Sequence, residues 1–361
     1  MNYIFLYIFN DISYFLYPII KKIKIFIFQK IMKGLAYNIF YYKNYLTCKI
    51  FPNYVANNIT DLFFTPRSLP QQPYESDFEK QTKHKILQIP TEGYKSRAEK
   101  FEEYNKDRKD MKLNHIPELP SEISVLEFLP ENNIELKPTI VCVHGWEGRG
   151  TNFYKFIPKL TEKGFRVLAP DFPMHGNTGG TETGCHVFGF ALNCILNYLQ
   201  TPVILLVHSL GNGATCTNYY ISDDKTRNQI KGFVGIGVPD RFTDYIINFG
   251  KMVGLDDYTN EFFLQKNSER LGIDVKYFVV SSTIKYFNYP CLIVHDEKDK
   301  EVNIDWAINS SKFIPEKFQT YKIGDKEYPC LHKTSGLGHR RILRDDGVVD
   351  VVVDFINNIK E

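Results

Sequence analysis

From about residue 121, short apolar runs alternate with longer segments that have helical spacing. The apolar runs are ISVLEFL, TIVCVHG, FRVLAPDF, VILLVHS, IKGFVGIGV and CLIVHDE. Several of them are apolar throughout, which is typical of strands covered on both faces. Residues 153–163 and 186–199 lie between such runs and look helical. The alternation predicts an α/β fold, with a mostly parallel sheet flanked by helices.

Polar residues stand at or just after the carboxyl ends of these runs. They are His144, Asp171, Ser209, Asp240 and Asp299. Open parallel sheets bind their ligands beyond the carboxyl ends of the strands. We therefore expect a functional site at this edge of the sheet.

The first 31 residues form a different segment, rich in Ile, Leu, Phe and Tyr and followed by lysines. A membrane span needs about 20 apolar residues, but Asp11 and Pro18 interrupt this run. The segment also lacks the basic start and the small-residue cleavage site of a signal peptide. It is either a membrane or interfacial anchor or an extension without a membrane role. We expect the catalytic core to fold and work without residues 1–31.

The remaining chain divides into two predicted regions. Residues 32–120 look helical and charged, and the run SRAEKFEEYNKDRKDMK predicts a solvated helix or loop. Residues 121–361 carry the α/β pattern. Within them, residues 239–286 look helical and partly amphipathic, which predicts a small cap.

Composition narrows the functional classes. Of 361 residues, 43% are apolar and 24% are charged, with a net charge of +2, so nothing favours a nucleic-acid partner. The seven cysteines are scattered, without a CxxC pair, which indicates a reducing compartment. No HExxH or paired His/Cys spacing occurs, so we expect no metal and no cofactor. We expect a cytoplasmic protein that its N-terminus could tether to a membrane.

The segment VILLVHSLGNGAT predicts a strand, a sharp turn and the start of a helix, with Ser209 in the turn. Such an elbow exposes a nucleophilic hydroxyl above the sheet. Gly211 and Gly213 allow strand and helix to approach closely. Val207, however, stands where the pattern G-x-S-x-G has its first glycine. The alternative is a buried serine that caps a helix.

A second strand ends in the glycine-rich segment HGWEGRG. Acyl transfer needs hydrogen-bond donors for the negative charge that develops on the carbonyl oxygen. A glycine-rich turn can aim backbone N–H groups at that oxygen. The candidate donors are the N–H groups of Trp146 and Leu210.

In this order, HGWEGRG, APDFPMHGNTGG, VHSLGNG, IVHDEKDKEV and TSGLGHRRIL resemble the blocks of the α/β-hydrolase family. More narrowly, the chain resembles bacterial members of undefined substrate that share the HGWEGRG and GLGHRRIL blocks. Those members have an LFLTPR-like stretch near the N-terminus, and here LFFTPRS spans Leu62–Ser68. The resemblance implies the α/β-hydrolase fold and a Ser, acid, His order of catalytic residues.

The resemblance also implies which residues serve as base and acid. His339, in the loop before the last helix, matches the family's base, and His332 is the alternative. Asp299 matches the acid, four residues after the histidine that ends its strand. The same loop contains three other carboxylates, Asp296, Glu297 and Glu301.

Together these residues predict a serine hydrolase that cleaves an ester, thioester or amide bond through an acyl-enzyme. A carboxylesterase acting on a small acyl substrate comes first, ahead of a peptidase or lipase. Two alternatives stay open. One is a catalytically silent binding protein with this fold, which Val207 favours. The other is a membrane-tethered lipid hydrolase, suggested by the aromatic N-terminus.

Overall fold

A computed structural model describes residues 34–67, 69–106, 112–130 and 137–359. Two compact units are present. Of the described residues, the smaller unit comprises those up to Ile59 together with Ile247–Phe263, and the larger comprises those within Thr60–Ile246 and those from Leu264 onward. The expectations for residues 1–31 lie outside the described residues, and the predicted boundaries near 31 and 120 stay predictions.

The larger unit is built on an eight-stranded sheet with the order β1-β2-β4-β3-β5-β6-β7-β10. The strands from β4 to β10 in this order run parallel, whereas β1 and β2 pair antiparallel at one edge. The predicted mostly parallel sheet is thus confirmed. The described strands are β1 (Lys85–Pro90), β2 (Glu122–Phe128), β3 (Thr139–Val143), β4 (Val167–Pro170), β5 (Val203–His208), β6 (Ile230–Ile236), β7 (Cys291–Asp296), β8 (Thr320–Ile323), β9 (Lys326–Pro329) and β10 (Leu331–Thr334).

Helices connect the strands. In the described residues they are α1 (34–47), α2 (Pro52–Phe63), α3 (Pro73–Gln81), α4 (Tyr94–Ala98), α5 (Phe101–Tyr104), α6 (Phe156–Glu162), α7 (Cys185–Leu199), α8 (Gly211–Ile221), α9 (Asp224–Gln229), α10 (Phe242–Met252), α11 (Asp257–Leu271), α12 (Val280–Ile284), α13 (Ile304–Lys312), α14 (Gly338–Arg341) and α15 (Asp346–Asn357). None of these described helices is long and apolar enough to cross a bilayer.

The core follows from the continuous apolar runs. Every residue of β3 and β5 is buried, as expected for central strands with helices on both faces. Helices α6 and α15 contribute Phe156, Val349 and Val352 to one hydrophobic cluster against the sheet. Helix α7 is apolar on nearly all sides and correspondingly buried along most of its length. All seven cysteines are buried.

The segment after α13 is more regular than its sequence indicates. Residues 324–333 look like an inserted loop, but β8 and β9 form a hairpin and β10 adds a parallel edge strand to the main sheet beside β7. Gly324 has a φ of 60°, as a tight hairpin turn requires. Residues 239–286 contain α10, α11 and α12, and the assignment of this range as a cap stays a prediction.

Candidate active site

Ser209 lies in a strained elbow between β5 and α8. Its φ is 52°, in the left-handed region that non-glycine residues rarely adopt. Its backbone N–H donates to the carbonyl of Ile236 at 3.0 Å, and its own carbonyl accepts from the N–H of Asn212 at 2.9 Å. These bonds hold the turn beyond the carboxyl end of the sheet, where a site was expected.

Val207 fits this elbow despite its bulk. The residue is fully buried in β5 and pairs with Val143 and Gly235 on the neighbouring strands. A Cβ atom on Gly211 would lie 2.9 Å from the Val207 Cγ1 atom and 2.7 Å from the Val143 carbonyl oxygen. Gly211 therefore provides the close approach of strand and helix, and leaves room for the valine.

Three predicted residues meet at the carboxyl edge of the sheet. The Nε2 atom of His339 is 2.7 Å from the Ser209 hydroxyl, and its Nδ1 atom is 2.7 Å from Oδ2 of Asp299. An Nδ1–H that donates to the carboxylate leaves the Nε2 lone pair free to accept the serine proton. His332, the alternative base, lies on edge strand β10 opposite Val294.

Asp299 is held as a carboxylate. Burial raises its pKa, but hydrogen bonds from His339 and from the N–H groups of Val302 and Glu301 outweigh it, so the pKa lies below its ordinary value. Those two N–H groups donate to Oδ1 at 2.9 and 2.8 Å, which leaves Oδ2 directed at the imidazole. An ionised group at this place stabilises an imidazolium.

Asp296 instead organises the loop that carries His339. Its oxygens accept from the Thr334 hydroxyl at 2.8 Å and from the N–H groups of Leu337 at 2.9 Å and Gly336 at 3.2 Å. Burial raises the pKa of Asp296, but its hydrogen bonds bring it down to about 2. This carboxylate is therefore charged and committed to the loop, not to the imidazole.

The N–H groups of Trp146 and Leu210 are the two candidate oxyanion donors. Among the described residues, neither donates to a backbone carbonyl. A Cβ atom on Gly145 would come within 2.9 Å of the Ser209 Cβ and 3.0 Å of the His208 Nδ1 atom. Only glycine therefore lets the turn after β3 pack so closely against the elbow.

Buried neutral histidines brace this turn. His144 accepts the N–H of Phe172 at Nε2, and its Nδ1–H donates to the carbonyl of Gly145 at 2.8 Å. His175 accepts the N–H of Glu147 in the same way, at 3.0 Å. Burial lowers the pKa of both rings, which keeps each Nε2 atom available as an acceptor. His175 thus holds the turn in place.

The sequence did not predict that Arg67 contacts Glu147 beside the site. The Nε, Nη2 and backbone N–H groups of Arg67 donate to the Glu147 carboxylate at 2.6, 2.6 and 3.1 Å. Glu147 itself has a φ of 56°, so this carboxylate anchors a strained residue next to Trp146. Arg149 adds a bond from Nη2 to the Leu69 carbonyl at 2.9 Å. The available signal was the joint presence of LFFTPRS and HGWEGRG.

Gly150, at the end of this turn, offers a test of packing. A Cβ atom there would lie 2.3 Å from the carbonyl oxygen of Ala169 and 2.7 Å from its carbonyl carbon. Because that obstacle is backbone, we expect Gly150→Ala to lower the free energy of unfolding by about 1–3 kcal/mol. Urea denaturation measures the change. Gly179→Ala is the matched control, since nothing lies within 4 Å of its Cβ position. Equal stability of the two variants would contradict the prediction.

Comparison with known proteins fits this architecture. Residues 138–276 match the family described as the alpha/beta hydrolase fold. The chain has the α/β-hydrolase fold. The resemblance inferred from the motifs is thereby confirmed.

Solved α/β-hydrolase structures share the arrangement at low sequence identity. An esterase of Pyrococcus furiosus superposes with a TM-score of 0.51 at 16% identity, covering 82% of this chain and 98% of that one. The esterase Est1E of Butyrivibrio proteoclasticus gives a TM-score of 0.49 at 17% identity, covering 65% and 93%. Human protein ABHD12B is 27% identical over 178 residues, which is 47% of this chain. The matched segment spans 48% of the human protein's length.

Proposed function

We propose that this α/β-hydrolase-fold chain is a serine hydrolase that works through an acyl-enzyme. The observation that carries the proposal is the continuous pair of 2.7 Å contacts from Asp299 to His339 and from His339 to Ser209. The strained elbow at Ser209 supports it, because such strain persists where a hydroxyl must be presented. A serine that only capped a helix would not need a buried imidazole at its oxygen.

In the proposed reaction, the Ser209 oxygen attacks the carbonyl carbon of the substrate while His339 Nε2 takes the serine proton. Asp299 stabilises the imidazolium that results. The N–H groups of Trp146 and Leu210 bind the oxyanion of the tetrahedral intermediate. His339 then gives its proton to the leaving group, the acyl-enzyme forms, and water repeats the two steps to release the acid.

A carboxylic ester is the proposed bond, with thioester and amide bonds as the other members of the class. The esterase of Pyrococcus furiosus, with the shared fold, supports this order. The silent-protein alternative rested on Val207, and Gly211 removes the steric objection that it raised.

A fluorophosphonate probe with a panel of nitrophenyl esters tests the proposal. We expect stoichiometric labelling of the native full chain, loss of labelling after heat unfolding, and turnover of at least one ester. Peptide mapping should place the label on Ser209. A folded protein that neither labels nor turns over an ester would support the silent binding protein instead.

The bond between Arg67 and Glu147 should matter for rate rather than for substrate binding. We call the turn after β3 that carries Trp146 the oxyanion turn. Without the bond from Arg67, this turn loses its anchor, and small misplacements of catalytic groups lower the rate by about 100-fold. We expect Arg67→Ala to lower kcat by about 10- to 100-fold, with KM little changed. Arg67→Lys retains the charge but not the two-pronged contact with the carboxylate. Its kcat should therefore lie between that of the unmodified chain and that of Arg67→Ala.

Lys137→Ala is the control for that variant. The Nζ group of Lys137 is exposed and donates to the Lys163 carbonyl at 2.8 Å, and the residue precedes β3, whereas the oxyanion turn follows that strand. The kinetic constants of this control should match those of the unmodified chain. A loss of kcat equal to that in Arg67→Ala would show that the effect is not specific to the turn.

A further inference from the structure

In the smaller unit, helix α1 faces outward with its apolar side. Leu35, Ile39, Tyr42 and Leu46 form one stripe along the helix and are 50%, 62%, 60% and 65% exposed. Ile50, in the turn that follows, is 71% exposed. We name these five side chains the α1 stripe.

The buried side of the same helix is polar or small. Asn44 is 7% exposed and donates from Nδ2 to the Val253 carbonyl at 2.9 Å, and Cys48 just after the helix is 2% exposed. Their positions lie opposite the stripe on a helix of 3.6 residues per turn. A surface helix whose outer side faces only water has polar residues on that side and apolar residues on the buried side. The α1 stripe is therefore a surface for an apolar partner.

The kinds of side chain in the α1 stripe indicate what its apolar partner is. The stripe mixes aliphatic side chains with tyrosine, whose amphipathic ring is favoured at membrane–water interfaces. More than half of the large apolar side chains that are exposed in the described residues belong to this small unit, so the pattern is concentrated there.

The sequence just before α1 points the same way. Residues 1–33 are rich in Ile, Phe and Tyr, and five lysines occur between positions 21 and 33. Apolar side chains followed by lysines fit the boundary between acyl chains and anionic headgroups.

We propose that the α1 stripe docks onto the surface of an anionic phospholipid bilayer, with the helix lying in the plane of the interface. The four members of the stripe that lie on the helix run from residue 35 to 46, about 16 Å along the axis, enough for a shallow contact. The contact is peripheral: it inserts side chains into the headgroup region and spans nothing. It is independent of the proposed hydrolase reaction.

Flotation of the full chain with vesicles tests the proposal. The vesicles contain equal parts of phosphatidylcholine and phosphatidylglycerol. The variant carries Ile39→Gln, Leu46→Gln and Ile50→Gln, which remove apolar surface without adding charge. Three lost apolar contacts should lower the partition coefficient by about 100-fold or more.

The matched control carries three glutamines at exposed apolar positions of the larger unit, Ile86, Tyr198 and Phe313, which are 60%, 49% and 45% exposed. It should float as the unmodified chain does. Circular dichroism and the urea midpoint verify that each protein is folded. The single variant Leu46→Gln, expected to lose up to about tenfold in partitioning, serves if the triple variant does not fold.

Three results would overturn the proposal. The first is a full chain that does not float. The second is a stripe variant that floats as well as the unmodified chain, which would assign binding to residues 1–33 alone. The third is a full chain that forms dimers and stays off the vesicles while the stripe variant is monomeric, since the stripe would then bind a second copy.

Discussion

Replacing Ser209 by alanine is expected to lower kcat for ester hydrolysis by about 10⁵- to 10⁶-fold while leaving the fold intact. The variant loses the oxygen that the Nε2 atom of His339 contacts at 2.7 Å, so no acyl-enzyme can form there. Residual turnover would come from the oxyanion donors and from substrate binding alone. Active-site titration with a fluorophosphonate probe and steady-state kinetics measure the loss. The urea midpoint should move little, because alanine removes a single oxygen atom.

Cys216→Ala is the matched control for Ser209→Ala. Cys216 lies on α8, the helix that follows the elbow, and is 1% exposed. If the hydroxyl of Ser209 is the nucleophile, this variant retains its kcat. Equal losses in the two variants would indicate a thiol nucleophile and contradict the proposed mechanism.

Asp299→Asn should be the next most damaging substitution, with a loss of about 10⁴-fold in kcat. An amide at this position can donate to Nδ1 of His339, and the imidazole proton then moves to Nε2. That tautomer cannot accept the proton of Ser209. The fall should appear in kcat and kcat/KM alike, and the pH–rate profile should change because the imidazolium has lost its counter-charge.

Asp296→Asn separates the two carboxylates of this loop. Asp296 accepts from the Thr334 hydroxyl and from three backbone N–H groups, so its replacement should lower the stability of the protein more than its kcat. We expect a lower urea midpoint and a much smaller loss of kcat than in Asp299→Asn. The reverse ranking of the two kcat values would assign the acid to Asp296.

The central strands of the sheet could be predicted from the sequence, whereas the edge strands β1 and β10 could not. Strands β3 and β5 are apolar at nearly every position because both faces are covered, and such runs are conspicuous. Strand β1, KILQIP, is exposed at most positions, and β10, LHKT, has only four residues. Both depend on a neighbouring strand for their conformation, so their own residues carry little signal.

The same distinction applies to the site. Ser209, Asp299 and His339 could be proposed because each stands in a recognisable segment at the end of a strand or before a helix. The contact of Arg67 with Glu147 joins residues 80 positions apart, and no local pattern predicts such a pair. The fit of Val207 depends on the distance to Gly211, which only the packing of β5 against α8 determines.

The seven buried cysteines can report which parts of this protein open transiently in the native state. Burial raises the pKa of the Cys194 thiol on α7 to about 11, and burial also raises the pKa of Cys142 on β3, so neither is a thiolate at neutral pH. An alkylating reagent can therefore modify them only during transient exposure. The order in which cysteines acquire label, read by mass spectrometry, would rank which parts of the native fold open first. No engineered probe is needed, because each thiol reports on the element that hides it.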